Sequence, residues 1–322
     1  MVKPFNSTEI ERLRALRETL VGIEGRPAGE PAPRYWDDAE ALRLYDAVFA
    51  RRIEWKWDAA LDEALERGPR PLEPRTVLDF GAGTGAASRA LLRRIPAPER
   101  LTLVDRDARA LAFARESIEA GAPGVEVEAR DSVGGGSFDL ALVSHVLDEL
   151  DDHGASALVG VLRGAESILW VEPGSKRTSR RLSTLRAELL DAYDVVAPCT
   201  HVEACGVLDP KKKRDWCHFF AKPPAEVHTT AEWTQIGREL RIDLRSLPYA
   251  FLFLVRRPEG ATASGSGGPR RVLGRPRVQR GRVMIDLCGP EGTSTEQLQQ
   301  RDDKALYKAL KKDTTILRFD PR

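Results

Sequence analysis

The stretch "TVLDFGAGTGAASR", residues 76–89, constrains this chain more than any other. Thr76 to Phe80 reads as a short buried strand and Ala86 to Arg94 as a helix. Gly81, Gly83 and Gly85 supply the tight turn between them. The alternation then repeats. "RLTLVDRD" is a second strand, "DARALAFARESIEAG" a helix and "VEVEARD" a third strand. "SFDLALVSHVLDEL" is a fourth strand running into a helix, "SILWVEPG" a fifth strand and "RRLSTLRAELLDAY" a helix. "RIDLRSLPYAFLFLVRR" carries the last strand of this unit, ending near Arg257. The strands are apolar on both faces, which predicts a parallel sheet covered by helices on both sides.

The glycine turn also bears on the ligand. Gly81, Gly83 and Ala86 satisfy the dinucleotide pattern G-x-G-x-x-A. Asp79, however, lies two residues before the first glycine. A pyrophosphate resting at the helix N-terminus would be repelled by that carboxylate. S-adenosylmethionine has no phosphate, and its amino group and sulfonium are positive, so a carboxylate there helps. The spacing D-x-G-x-G-x-G, Asp79 with Gly81, Gly83 and Gly85, is the methyltransferase form of the turn. Asp105 ends the second strand, placed for both ribose hydroxyls. Asp131 ends the third strand, within reach of the adenine amino group. The expected fold is therefore a Rossmann-like class I S-adenosylmethionine-dependent methyltransferase.

No catalytic residue is assigned. The signature of amino-group methylases after the fourth strand is absent, because "SHVLDEL" stands there. Asp148 and Glu149 read as the acidic first turn of a helix. Pro198-Cys199 mimics the nucleophile pair of cytosine methylases but follows the fifth strand. Methyl transfer can run on positioning alone, so activity stays open.

The chain has four cysteines, and Cys199, Cys205 and Cys217 fall inside residues 195–220. The fourth, Cys288, is seventy-one positions beyond Cys217. Lone buried cysteines are common, yet four is the count of a Cys₄ site. Structural zinc favours close Cys pairs, and none is present. Widely separated thiolates beside prolines suit an iron–sulfur cube, with zinc as the alternative. His201 and His218 are further candidate ligands, although a hydrogen-bonding or surface role fits them better.

The flanks divide the chain. Residues 1–70 are expected to form a helical segment, beginning with a cap at Thr8 and Glu11 and followed by a Pro/Gly loop at 25–34. Residues 71–257 form the methyltransferase-like domain, with a Cys-rich insertion at 195–222. Residues 258–322 are a linker, to residue 274, and a small module comprising a strand "RVMIDLC" and a helix around 296–312. Among 322 residues the net charge is +1, so nucleic-acid binding must come from local patches. Two basic runs are candidates for RNA phosphate: Lys211, Lys212, Lys213 and Arg214, and Arg275, Arg277, Arg280 and Arg282. No apolar run approaches the roughly 20 residues that span a bilayer. The N-terminus has no signal core, so a cytoplasmic chain with reduced thiols is expected.

Taken together, "DFGAGTG", "SHVLDEL", "VEPGS", "PCTHVEAC", "DWCHF" and "IDLCGPEG" resemble the family of methyltransferase-like protein 17, which includes yeast mitochondrial small-ribosomal-subunit protein 22 and bacterial relatives. The resemblance runs from about residue 40 to about residue 295. It implies a class I methyltransferase fold, a role in small-ribosomal-subunit assembly with rRNA as partner, and a four-iron [4Fe-4S] cluster held by Cys199, Cys205, Cys217 and Cys288. Thr200 stands where the family usually has proline. Two readings follow: an rRNA-binding assembly factor, monomeric off the ribosome, that uses the fold as scaffold, or an active RNA methyltransferase. A small-molecule methyltransferase is the outside alternative.

Overall fold

The computed structural model describes residues 4–25, 36–69, 72–262, 269–312 and 318–319. Helix α1 (Ser7–Gly25) is closed by a reciprocal pair: the Asn6 amide donates to Glu9 Oε2 at 2.8 Å, and the Glu9 amide to Asn6 Oδ1 at 3.0 Å. This is a capping box, set two residues earlier than Thr8 and Glu11, because an Asn side chain is as good an acceptor as Thr. The expected loop at 25–34 falls almost wholly outside the described residues. α2 (Ala39–Tyr45), a π-helical turn (Asp46–Ala50) and α3 (Arg51–Arg67) run on from one another. α3 buries Trp55, Trp57, Leu61 and Ala64 against the domain that follows.

That domain contains β1 (Thr76–Phe80), α4 (Ala86–Leu92), β2 (Arg100–Val104), α5 (Ala108–Gly121), β3 (Glu126–Arg130), β4 (Phe138–Ser144), α6 (Asp152–Leu162), β5 (Ala165–Pro173) and α7 (Lys176–Leu189). It continues with β6 (Tyr193–Ala197), β7 (Phe219–Ala221), α8 (Glu226–Thr229), α9 (Ala231–Glu239) and β8 (Leu247–Arg256). The sheet order is β3-β2-β1-β4-β5-β8-β6, with β7 also paired to β8. β1 to β5 are mutually parallel, whereas β8 is antiparallel to both β5 and β6. A parallel sheet with its last strand inserted in reverse is the class I methyltransferase fold. α1, α3, α4, α5 and α9 pack on one face of the sheet, and α6 and α7 on the other. The predicted helix at Asp148 and Glu149 starts later: Asp151 caps α6 through the Gly154 amide, and Asp148 is turned to α7, where Thr178 Oγ1 donates to it at 2.7 Å.

The C-terminal part is mostly sheet. β9 (Arg270–Gln279), β10 (Arg282–Gly289) and β11 (Gly292–Gln299) form an antiparallel meander, joined by α10 (Lys304–Lys312) and β12 (Arg318–Phe319). The helix expected around 296–312 is thus only its latter part. "GTSTEQLQ" is β11, a strand whose polarity hides it, because it pairs with β10 at the sheet's outer edge. Likewise the expected linker to 274 ends sooner, since β9 begins at Arg270; residues 263–268 lie outside the described set. Val272, Val283, Ile285, Leu287, Tyr307 and Leu310 make a small core of its own.

Candidate functional site

The glycine turn is fixed from beneath. Gly81 and Ala82 donate to the Val104 carbonyl at 2.8 and 3.0 Å, tying the end of β1 to the end of β2. Gly81, Gly83 and Gly85 all have positive φ. At Gly81 an added Cβ would stand 2.2 Å from Val146 Cγ1, so only glycine fits. Asp105 then holds the turn's crest: its Oδ2 accepts from the Gly83 amide at 2.9 Å and its Oδ1 from the Asp107 amide at 2.9 Å. Burial raises the Asp105 carboxyl above its usual range, although these amides oppose the shift.

Above the turn opens a cavity of about 960 Å³. Gly81, Gly83, Asp105 and Asp131 line it, and the Trp36 indole lies over Gly83. Asp131 is exposed and accepts from the Ser132 hydroxyl. Asp79 does not line the cavity. It sits fully buried below the turn, where Ser88 Oγ donates to it at 2.5 Å. Burial pushes its carboxyl up to about 6.

On the wall following β4, Lys56 Nζ stands 3.1 Å from His145 Nε2, and Ser144 Oγ stands 3.4 Å from His145 Nδ1. Trp57 Nε1 donates to the same Ser144 hydroxyl at 2.9 Å. His145 has φ of 57°, lines the cavity and is half-buried. Burial first, and then the Lys56 charge, holds its imidazole neutral well below its ordinary range. With Lys56 donating to Nε2, the imidazole proton sits on Nδ1. Beneath this turn, Glu172 Oε1 accepts from the Val146 and Leu147 amides and from Trp170 Nε1. Burial pushes that carboxyl up to about 8.

The second site is a cluster of thiols. The segment between β6 and β7 has little regular structure beyond a 3-10 turn at Gly206–Leu208. Side chains from two helices hold it instead. Arg67 of α3 donates to the Pro198 and Cys199 carbonyls at 3.1 and 3.0 Å. Arg186 of α7 donates to the His201 and Glu203 carbonyls, Arg180 to Asp215, and Ser179 to Cys217. The C-terminal sheet closes the other side. An added Cβ at Gly206 would meet Gly292 Cα at 2.6 Å, and the Gly274 amide donates to the His218 carbonyl at 2.9 Å.

This brings all four cysteines within electrostatic reach of one another, none in a disulfide. Cys205, Cys217 and Cys288 share a small apolar cluster with Val207 and Leu273. Burial and the neighbouring Cys199, Cys205 and Cys288 sulfurs push the Cys217 thiol well up; burial, then Cys199 and Cys205, push Cys288 up to about 12. Cys288 Sγ also lies 3.7 Å from His201 Nε2. The thiols are neighbours and not a finished coordination sphere. Among the described residues, no three His, Cys, Asp or Glu side chains stand at metal-holding spacing. Two cations flank them. Arg186 and Arg271 are each 2% exposed, and Arg186 Nε, Arg271 Nε and Arg271 Nη2 have no hydrogen-bond partner among the described residues.

The sequence matches the family described as mitochondrial small ribosomal subunit Rsm22 over residues 49–314. The chain belongs to that family. No curated protein matches it in sequence. Among solved structures it is similar to a candidate RNA methyltransferase from Pyrococcus horikoshii, at 12% identity over 77% of this chain and 98% of that one, with a TM-score of 0.41. It is also similar to magnesium protoporphyrin IX methyltransferase from Synechocystis with bound SAH, at 12% identity, 79% and 96% coverage and a TM-score of 0.42. The plantazolicin methyltransferase BpumL, in complex with SAH, gives 14% identity, 78% and 98% coverage and a TM-score of 0.39.

In this Rsm22-family chain the two basic runs do not merge. Lys211, Lys213 and Arg214 are exposed, while Lys212 Nζ donates to the Thr293 carbonyl at 3.0 Å, beside Cys288. Arg280 and Arg282 stand at the opposite end of the β10 ladder, roughly 20 Å away. Arg275 lies over the Phe220 ring at 4.0 Å, and Arg277 is paired with Asp286. Sequence reading missed Lys56, His145 and Trp36. The only signal for His145 was its place just after the fourth strand; Lys56 and Trp36 reach the cavity from the distant N-terminal helices.

Proposed function

We propose that this chain is a small-ribosomal-subunit assembly factor that contacts rRNA, binds S-adenosylmethionine in the cavity over Gly83, and uses Cys199, Cys205, Cys217 and Cys288 to hold an iron–sulfur cluster. Its free thiols fit the reducing cytoplasm. Family membership supports the ribosomal part of the reading. The glycine turn, Asp105 and Asp131 support the cofactor, because a cavity with carboxylates at this end suits a cationic, phosphate-free ligand.

The observation that carries the cluster is the donor set with its flanking cations. Four thiols from two distant stretches gather beside Arg186 and Arg271, whose Nε groups, with Arg271 Nη2, have no acceptor among the described residues. A buried guanidinium N–H left without an acceptor is costly. Deprotonated thiolates on a metal centre would answer it, and the two arginines would offset the negative charge. The cluster would supply cross-linking: metal-binding energy becomes folding energy where the site does not preform.

The second reading, active methyl transfer to RNA, is favoured by the Lys56–His145–Ser144 chain on the cavity wall. Its role would be to orient the acceptor, since transfer by an activated cofactor relies chiefly on alignment. The reading as a whole is tested by sequencing RNA that co-purifies with the chain. Enrichment of small-subunit rRNA is expected. RNA matching its cellular abundance would contradict the ribosomal role.

A further inference from the structure

The cavity is larger than its glycine-turn end needs. At about 960 Å³ it sits at the top of the range for small-molecule sites. Asp105 and Asp131 line it beside the glycine turn, and Arg17 of α1, Arg52 of α3 and Arg241, just after α9, line it as well. Among the described residues none of these three arginines makes an ion pair. Arg52 Nε is buried with no hydrogen-bond partner among the described residues. Arg52 also comes from the same helix turn that presents Lys56, so a ligand seated on it would extend toward His145.

We propose that Arg17, Arg52 and Arg241 form an anion seat for the phosphate of a nucleotide whose base lies in the apolar middle of the cavity. Three guanidiniums lining one cavity repel one another, and Arg52 is also desolvated. Burial and then the Arg17 charge push Arg52 down to about 10. The carboxylate near them, Asp243, is already engaged by the Arg245 amide and guanidinium. A phosphate would restore the missing partner with charge-assisted, bidentate bonds. Phe49, Ile53 and Pro248 also line the cavity and offer apolar surface for a base. That pattern fits a nucleotide better than a free anion. The inference rests on the RNA reading above and adds where one nucleotide would sit.

The test is calorimetry on the full chain, with and without S-adenosylhomocysteine, using the four nucleoside 5′-monophosphates, the matching nucleosides and inorganic phosphate. At least one monophosphate should bind about tenfold or more tightly than its nucleoside. Arg52→Gln and, independently, the exposed Arg241→Gln should each remove most of that preference and leave S-adenosylhomocysteine affinity unchanged. Arg52→Lys should keep part of it. Equal binding of nucleoside and monophosphate, or an undiminished preference in both Gln variants, overturns the seat. Inorganic phosphate binding as tightly as every monophosphate overturns the nucleotide. Loss of rRNA binding by the parent chain, with monophosphate preference retained, would sink the RNA reading alone.

Discussion

Arg271 Nη1 of β9 lies 2.9 Å from Glu63 Oε2 of α3, and both residues are buried. The pair joins the C-terminal sheet to the N-terminal helices across the middle of the molecule. The guanidinium also lies 4.4 Å from the Phe219 ring centroid, in β7, so one side chain touches three parts of the fold. Glu63→Gln should therefore destabilise strongly. Removing one partner of a buried pair costs about 3–5 kcal/mol, because the other charge is left without compensation. Denaturant unfolding measures this, and a loss under about 1 kcal/mol would show that the pair is not a staple.

Glu172 should make stability pH-dependent. Its folded value, about 8, lies above the ordinary carboxylate value of 4.5. The folded chain then holds the proton more tightly than the unfolded chain. This contribution is fully present at low pH and is lost as pH rises through that window, at no more than about 1.4 kcal/mol per unit. Glu172→Gln keeps an acceptor for Trp170, Val146 and Leu147 and removes the charge. Urea midpoints between about pH 6.5 and 8, above the Asp79 transition, should fall less steeply in the variant. Parallel slopes would refute a buried, protonated Glu172.

Gly83→Arg should abolish S-adenosylmethionine binding. A Cβ at Gly83 already stands 3.4 Å from the Trp36 ring, so a long side chain must either displace that ring or fill the cavity. Calorimetry should detect binding to the parent and none to the variant, with hydrogen exchange around Cys288 unchanged. Equal affinity would remove the cofactor from this cavity.

The sequence exposed the parts of this fold whose constraints are local. The strand, glycine turn and helix from Thr76 to Leu92 were legible because positive φ leaves few residue choices there. The four cysteines were legible because they are rare. What stayed hidden depends on distant partners. The reverse insertion of β8 cannot be read from "LPYAFLFLVR", which is apolar in either direction. β11 looks like neither strand nor core because its side chains face an outer edge. Arg52, Lys56 and Trp36 reach the cavity only because α3 and the segment before α2 fold back over the glycine turn.

If the lysine run contacts phosphate, Lys211→Ala, Lys213→Ala and Arg214→Ala should each weaken RNA binding regardless of sequence. Each should also lower the salt slope by about one unit. Lys212 is left intact because its Nζ supports the Thr293 turn. The readout is a salt titration of small-subunit rRNA binding. An unchanged slope would make the run solvated surface only.

The most direct measurement is metal and sulfide analysis of anaerobically purified chain, with its absorption spectrum and with Cys288→Ser beside it. The account predicts a brown protein with about four iron and four sulfide per chain and a broad band near roughly 400 nm. Cys288→Ser should lose these, and hydrogen exchange should rise at Cys217 as well as at residue 288, because the Cys-rich segment and β10 pack on each other. A colourless chain with one tightly bound zinc would contradict the cluster and leave the cross-link. A chain with neither metal, in which loosening stays local to residue 288, would contradict both.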